Sequence, residues 1–257
     1  MNLDLQLVED FFQRHAYGRV MLQFSAGKDS AATLWALRDY WLEMDVVWIN
    51  PGNPYPETVE YMERIASIVP RFQCVLGNQP ANIMRKGWPV DILPMETTQL
   101  GLEAHRKSGI MLRPFWDCCG DNMWKPMADW VKHGNYSGVI RGQKSCDSMQ
   151  NRSITSGTVV EGVEYLLPIE HWTDKEVIDF LGPDRLPESY KRGLRSSLDC
   201  MNCTAYTAEN PGRVADLERI DADSHRDVAV VHLYLLNAIS AHTEALRSCH
   251  ANPTTSI

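Results

Sequence analysis

Apolar and polar positions alternate at helical spacing over residues 5–15, which predicts an amphipathic helix at the start of the chain. A short apolar run from Val20 to Leu22 then gives way to Ser25-Ala26-Gly27-Lys28-Asp29-Ser30 and to a helical pattern over 31–42. The run 44–49 reads as a second, buried strand, ending in the turn residues Asn50-Pro51-Gly52-Asn53-Pro54. The next helix begins near Glu57 with Pro56 at its start, and 72–76 is a third strand. Between 78 and 115 the pattern weakens and no element is drawn. Further on, 138–140 and 165–169 read as strands, and Thr173 caps a helix reaching Leu181 with Glu176 in the capping-box position. Residues 214–247 are helical with a break around Asp221-Ala222-Asp223, and the tail from Asn252 is expected to fray. Strands alternating with helices predict an α/β fold: an open parallel sheet with right-handed crossovers, helices on both faces and a helical C-terminal segment. The division expected is an α/β domain over 1–204 and a helical segment over 205–257. In open sheets of this kind ligands bind beyond the carboxyl ends of the strands, so 25–30 and 50–58 are expected to share one crevice.

The loop at 25–30 has the residue types an anion site needs. Gly27 lets the backbone approach an anion and adopt angles other residues avoid, Ser25 and Ser30 offer hydroxyls, and unpaired N–H groups at the start of the following helix favour phosphate. Lys28 adds a point charge, and Asp29 suits a magnesium ion held beside phosphates. The alternative is an ordinary strand-to-helix turn. The loop is not a Walker A sequence.

At 257 residues the chain is long enough for a sizeable core. Its 33 acidic and 25 basic residues give a net charge of -8, which argues against a general polyanion-binding surface. No apolar stretch approaches the length of a membrane span, and the first residues lack the pattern of an export signal, so a cytoplasmic protein is expected. Seven cysteines is an odd number for a disulfide framework and points instead to metal or catalytic use. Cys118 and Cys119 are adjacent, and Cys200 and Cys203 form a Cys-x-x-Cys; two close pairs far apart in sequence suit an iron-sulfur cluster. Zinc, a thioredoxin-type dithiol and buried free thiols are the alternatives. Cys146 reads as a loop thiol or a sulfur carrier. The histidines show no metal-ligand spacing, and Trp35, Trp41 and Trp48 occupy core-like positions.

The six residues 25–30 resemble the Ser-x-Gly-x-Asp-Ser loop of the PP-loop ATP pyrophosphatases, which cleave ATP between the α and β phosphates. With Cys118-Cys119, Lys125-Pro126 and Cys200-Met201-Asn202-Cys203-Thr204 added, the chain resembles the cluster-bearing members of the phosphoadenosine-phosphosulfate and adenylyl-sulfate reductase family, within the adenine nucleotide α-hydrolase group. Gly52 with Pro56-Glu57-Thr58 is similar to the family's Thr-Gly followed by Pro-Glu-Thr. Arg141-Gly142-Gln143-Lys144, with Arg152 beyond it, resembles the Gly-x-Arg segment that meets the substrate's charged groups, and Pro168 to Asp174 matches the segment before its helix. The resemblance implies nucleotide contacts from Ser25, Ala26, Gly27, Lys28, Asp29, Ser30, Gly52, Glu57 and Gly142. It implies catalytic roles for Lys28, Asp29, Lys144 and Arg152, and a 4Fe-4S cluster on Cys118, Cys119, Cys200 and Cys203 beside the nucleotide.

Two departures bear on function. The reductases carry a nucleophilic cysteine in Glu-Cys-Gly-x-His near the C-terminus, where this chain has only Ser248-Cys249-His250-Ala251-Asn252. Lys28-Asp29-Ser30 is also what ATP-using relatives carry. The leading expectation is therefore Mg-ATP cleaved to AMP and pyrophosphate, with the loop and Lys28 stabilising the leaving group. Relatives use this chemistry in DNA phosphorothioation or RNA thiolation, and the family includes reductase-like proteins beside type IV CRISPR modules and in phages. A nucleic-acid-modifying or CRISPR-type protein complex and a homo-oligomer are accordingly expected partners. The alternatives are a sulfonucleotide reductase fed by a thioredoxin-type donor through Cys249, and an accessory subunit that binds nucleotide and cluster without turnover.

Overall fold

The computed structural model describes residues 3–92, 98–108, 110–147, 154–194 and 199–250. The chain opens with α1 (Leu5–Arg14), β1 (Arg19–Gln23), α2 (Lys28–Ala36), β2 (Met44–Asn50), α3 (Pro56–Ile68) and β3 (Phe72–Leu76). There follow α4 (Gln79–Lys86), β4 (Trp88–Val90), α5 (Gln99–Ser108), β5 (Leu112–Pro114), α6 (Phe115–Cys119), a π-helical turn over Gly120–Trp124, and α7 (Lys125–His133). The remainder comprises β6 (Tyr136–Arg141), β7 (Val159–Val160), β8 (Val163–Leu166), α8 (Asp174–Arg185), α9 (Glu188–Lys191), α10 (Arg213–Ile220) and α11 (Ala222–His250). Two units emerge, 1–77 with 121–200 and 78–120 with 201–257.

The first unit is built on a six-stranded sheet in the order β3-β2-β1-β6-β8-β7, parallel except for the antiparallel β7–β8 pair. Its central strands are apolar on both sides: Val20, Met21 and Leu22 of β1 and Val46, Val47 and Ile49 of β2 are all buried, the signature of a parallel sheet covered on both faces. On one face α1, α2, α3 and α8 contribute Phe11, Leu34, Met62, Ile65, Val177 and Leu181 to the main core; on the other, Val131 and Tyr136 pack with Met21, Val47 and Val139. At the amino end of the strands the buried Asp45 accepts hydrogen bonds from Arg19 (2.7 Å), Arg71 (2.8 Å) and the Tyr136 hydroxyl (2.7 Å). The capping box of α8 forms as expected, with Thr173 and Glu176 each accepting from the other's backbone N–H.

Several boundaries differ from the sequence expectation. The helix expected over 31–42 begins three residues earlier and ends at Ala36, followed by one 3-10 turn over Arg38–Tyr40. Its early start makes Lys28, Asp29 and Ser30 the first turn of α2. The strand expected over 165–169 lies at Val163–Leu166. Trp41 and Trp48 are buried as expected, whereas Trp35 is half-buried under the Arg185 guanidinium, 4.4 Å from its ring.

In the second unit, the stretch 78–115 that showed no clear pattern holds, among its described residues, the helices α4 and α5 and a parallel pair, β4–β5. Their apolar residues Val90, Ala104 and Leu112 pack with Val231, Leu235 and Ala238 of α11, so the C-terminal helix is sealed by the middle of the chain. The break before α11 falls at Asp221, as the sequence implied. Among the described residues no helix is long and apolar enough to cross a membrane.

Candidate nucleotide site

The chain runs from β1 outward through β2 to β3 and later returns to place β6 on the other side of β1, so the strand order reverses between β1 and β6. Loops leaving the carboxyl ends of the two strands at such a switch point flank a crevice. Gln23 of β1 and Arg141 of β6 are paired in register, which puts 24–27 beside 142–144. Gly142 makes the approach close: a Cβ on it would stand 2.5 Å from Ser30 N and 2.6 Å from the Asp29 carbonyl. No side chain fits there, so Gly142 acts by letting β6 lie against the first turn of α2.

The loop closes on itself through its own hydroxyls. Ser30 Oγ donates to the Gly27 carbonyl (3.0 Å), and Ser25 Oγ accepts from Gly27 N–H (3.3 Å). The unusual backbone angle expected at Gly27 belongs to its neighbour: Gly27 is extended (φ -71°, ψ 154°), and Ala26 is left-handed with φ 58°. The reason is that Gly27 is the N-cap of α2, a position that takes extended angles in any residue. The turn out of β1 is made one residue earlier.

Around this loop stands a cluster of opposite charges. Lys28 Nζ lies 2.9 Å from Asp29 Oδ2 and 2.8 Å from Asp174 Oδ1. Lys144, whose side chain is 1% exposed, has its Nζ at 2.8 Å from Asp29 Oδ1, 3.0 Å from Asp147 Oδ1 and 3.3 Å from Asp174 Oδ1. The buried Lys144 ammonium is thus held among three carboxylates. Burial alone would lower the Lys144 basicity, but Asp29 and Asp147 outweigh it and keep the group protonated. The hydrogen bond from Lys28 holds the Asp174 carboxyl below its ordinary range. Tyr190 on α9 completes the cluster. Its ring centroid is 5.9 Å from Lys28 Nζ, and burial raises its hydroxyl against a hydrogen bond from the Lys28 backbone N–H.

Beside the loop lies a small, shallow cleft, open to solvent, lined by Ser25, Ala26, Glu57, Thr58, Tyr61, Glu188 and Ser189 together with Pro187. Glu57 is paired with Arg192, which ties α9 to the start of α3. Of the residues expected to meet a nucleotide, Ser25 to Ser30, Glu57 and Gly142 are thus brought to one end of the sheet. Gly52 is left-handed (φ 97°), its N–H donating to Asn50 Oδ1, and is not part of the cleft lining. Arg141 turns to Gln23 (2.7 Å) and the Tyr165 ring, while Arg152 lies outside the described residues. Asp147, Asp174 and Tyr190 were not identified as site residues from sequence. The one signal was Asp174 directly after the capping threonine.

The four cysteines expected to hold a cluster lie at the end of α6 and in the segment between α9 and α10. Cys118 is buried at the end of α6; Cys119 Sγ lies 3.8 Å from the Tyr206 hydroxyl, and Cys203 Sγ is 3.8 Å from the Ala205 carbonyl. Cys200 is the last residue of the first unit and the other three belong to the second. The donors suit iron by kind, although among the described residues no three Cys, His, Asp or Glu side chains gather as a metal site. Cys249 is exposed in the last turn of α11.

The family model of the phosphoadenosine phosphosulfate reductase domain matches residues 19–206, well over half of the chain. Among solved structures, the chain resembles the phosphoadenylyl-sulfate reductase of Candida auris in its phosphate complex, at 12% identity and a TM-score of 0.47, over 69% of this chain and 79% of that one. No curated protein matches it. The match over 19–206 spans the sheet, the loop after β1, the Lys144 loop and all four cysteines of the two pairs, and on that ground the chain belongs to the phosphoadenosine phosphosulfate reductase family of the PP-loop superfamily.

Proposed function

We propose that the protein is a PP-loop ATP pyrophosphatase that cleaves ATP at the α phosphate, releasing AMP and pyrophosphate and activating an acceptor for sulfur transfer or nucleic-acid modification. The observation that carries this reading is the meeting of Lys28 and Lys144 around Asp29 where the strand order reverses. Two ammonium groups and the amino end of α2 converge there, which suits a leaving group that gathers negative charge in the transition state. Magnesium, when bound, supplies further neutralisation of the phosphates. Because the described residues hold no ready-made metal site, the ion would enter with the nucleotide, with Asp29 as the chain's contribution. Glu57, Thr58 and Ser189 line the cleft beside the loop and offer polar groups to the nucleoside. Cys118, Cys119, Cys200 and Cys203 are proposed to hold a 4Fe-4S cluster, which would supply a compact charged or redox-active group.

The family match itself favours a second reading, a sulfonucleotide reductase that forms sulfite. That reading needs a thiol nucleophile, and Cys249 is its candidate. The experiment that separates the two incubates anaerobically purified protein with magnesium and α-labelled ATP, and in parallel with adenylyl sulfate and reduced thioredoxin. The expected result is AMP and pyrophosphate, with Lys28→Ala and Lys144→Ala each lowering turnover by about 100-fold or more, the scale of one lost charge-stabilising group. Sulfite formation abolished by Cys249→Ser would establish the reductase instead. Iron and sulfide content of the same preparation reports on the cluster.

A further inference from the structure

One carboxylate oxygen in the site is shared by two ammonium groups. Asp174 Oδ1 stands 2.8 Å from Lys28 Nζ and 3.3 Å from Lys144 Nζ. This is the arrangement an oxygen of a phosphate or sulfate would take up between two lysines. We propose that Asp174 is a tethered anion that competes with the ligand's oxyanion for Lys28 and Lys144, so that binding proceeds by its displacement. The inference rests on the reading that this loop grips an oxyanion and is independent of which nucleotide carries it.

Burial separates the fixed members of the cluster from the movable one. The Lys28 and Lys144 side chains are 10% and 1% exposed, whereas that of Asp174 is 67% exposed at the first position of α8. The other two carboxylates are anchored. Asp29, 21% exposed, spans both lysines from the first turn of α2, and Asp147 Oδ2 also accepts the Lys144 backbone N–H at 2.8 Å. Asp174 can turn out to water without moving either helix.

Charge balance points the same way. Two lysines face three aspartates, so the cluster is one charge negative with Asp174 in place and balanced once it leaves. A polyphosphate entering without that departure would add its charge to an already negative group.

The test is calorimetric titration of the full-length protein with inorganic pyrophosphate, ATP, adenylyl sulfate and adenosine, comparing wild type with Asp174→Asn, Asp174→Glu and Lys28→Ala, each checked for folding by circular dichroism. Asp174→Asn should tighten pyrophosphate and the charged nucleotides by about five- to tenfold, the scale of one exposed charge-assisted contact. Adenosine should be unaffected, Asp174→Glu should stay near wild type, and Lys28→Ala should lose the pyrophosphate. A purely structural Asp174 would not give a gain confined to anions. If ATP binds and is cleaved but Asp174→Asn binds pyrophosphate no more tightly, the tethered-anion proposal falls alone. If adenylyl sulfate binds in place of ATP and Asp174→Asn tightens it, the ATP reading falls and the tethered anion stands. Absence of binding by any anion to wild type and to Asp174→Asn overturns both.

Discussion

Gly142 is the residue on which the geometry of the site turns. The backbone of α2 occupies the space a Cβ would need, with Ser30 N at 2.5 Å and the Asp29 carbonyl at 2.6 Å, and neither is the far end of a flexible side chain. Gly142→Ala must therefore push β6 and α2 apart. The expected loss of stability is about 2 kcal/mol, in the range for overpacked sites, and it should be accompanied by loss of oxyanion binding as Lys144 is drawn away from Asp29. Denaturant unfolding followed by pyrophosphate titration checks both, and an unchanged unfolding midpoint would contradict the close approach. At this scale the sequence showed the loop and its lysine plainly, because 25–30 is contiguous and each residue type has a local reason. It did not show Asp174 or Tyr190. Asp174 meets Lys28 from 146 residues away, and its place after a capping threonine already gave it a sufficient local role at the start of a helix. Tyr190 sits on a four-residue helix too short to leave a periodic pattern.

At the scale of elements, α8 couples helix capping to the site. Thr173 Oγ1 accepts from Glu176 N–H at 3.2 Å, and Glu176 Oε2 accepts from Thr173 N–H at 2.8 Å. Thr173→Ala removes half of this box and should cost about 1 kcal/mol of stability. Asp174 begins the helix that this box fixes, so the same variant should loosen its hold on the lysines and tighten pyrophosphate, by less than Asp174→Asn does. Thr173→Ser should restore both properties, and an affinity that ignores the cap would show that α8 plays no part in positioning Asp174. The capping box was legible because it is a four-residue pattern, as were β1, β2, β3 and α3, where apolar runs end in turn residues. The elements over 78–115 were not. β4 and β5 are three residues each and α4 carries Pro80 near its start, and the apolar residues of β4, β5 and α5 find partners in α11, from the other end of the sequence. The late start assigned to α2 has a related cause. Its first turn is polar, with Lys28 and Asp29 in the charge cluster, and polarity there reads as loop.

For the first unit as a whole, the two ends of the sheet carry charge for opposite purposes. The carboxyl end gathers Lys28 and Lys144 among aspartates beside the loop after β1, whereas the amino end locks Asp45 under Arg19, Arg71 and Tyr136 in the body of the fold. Burial would raise the Asp45 carboxyl, but the hydrogen bonds from Tyr136 and Arg19 and the charge of Arg71 outweigh it and hold the group below its usual value. Burial and the Asp45 bond in turn push the Tyr136 hydroxyl up to about 12. A carboxyl whose folded value is lowered stabilises the fold fully above its unfolded value, near 4, and loses that contribution as the pH falls through the folded value. Wild type should therefore weaken in acid below about pH 4 by an amount that Asp45→Asn no longer shows. At neutral pH Asp45→Asn should be less stable by about 2 kcal/mol, below the full penalty of a broken buried pair because Arg19 and Arg71 are 48% and 40% exposed. Pyrophosphate binding should be unchanged, since Asp45 lies near the start of β2, at the end of the sheet opposite the Lys28 loop. Unfolding measured between pH 3 and 7 beside a pyrophosphate titration tests the separation. A variant that kept its fold but lost the anion would mean that the lock at the amino end also sets the geometry of the site.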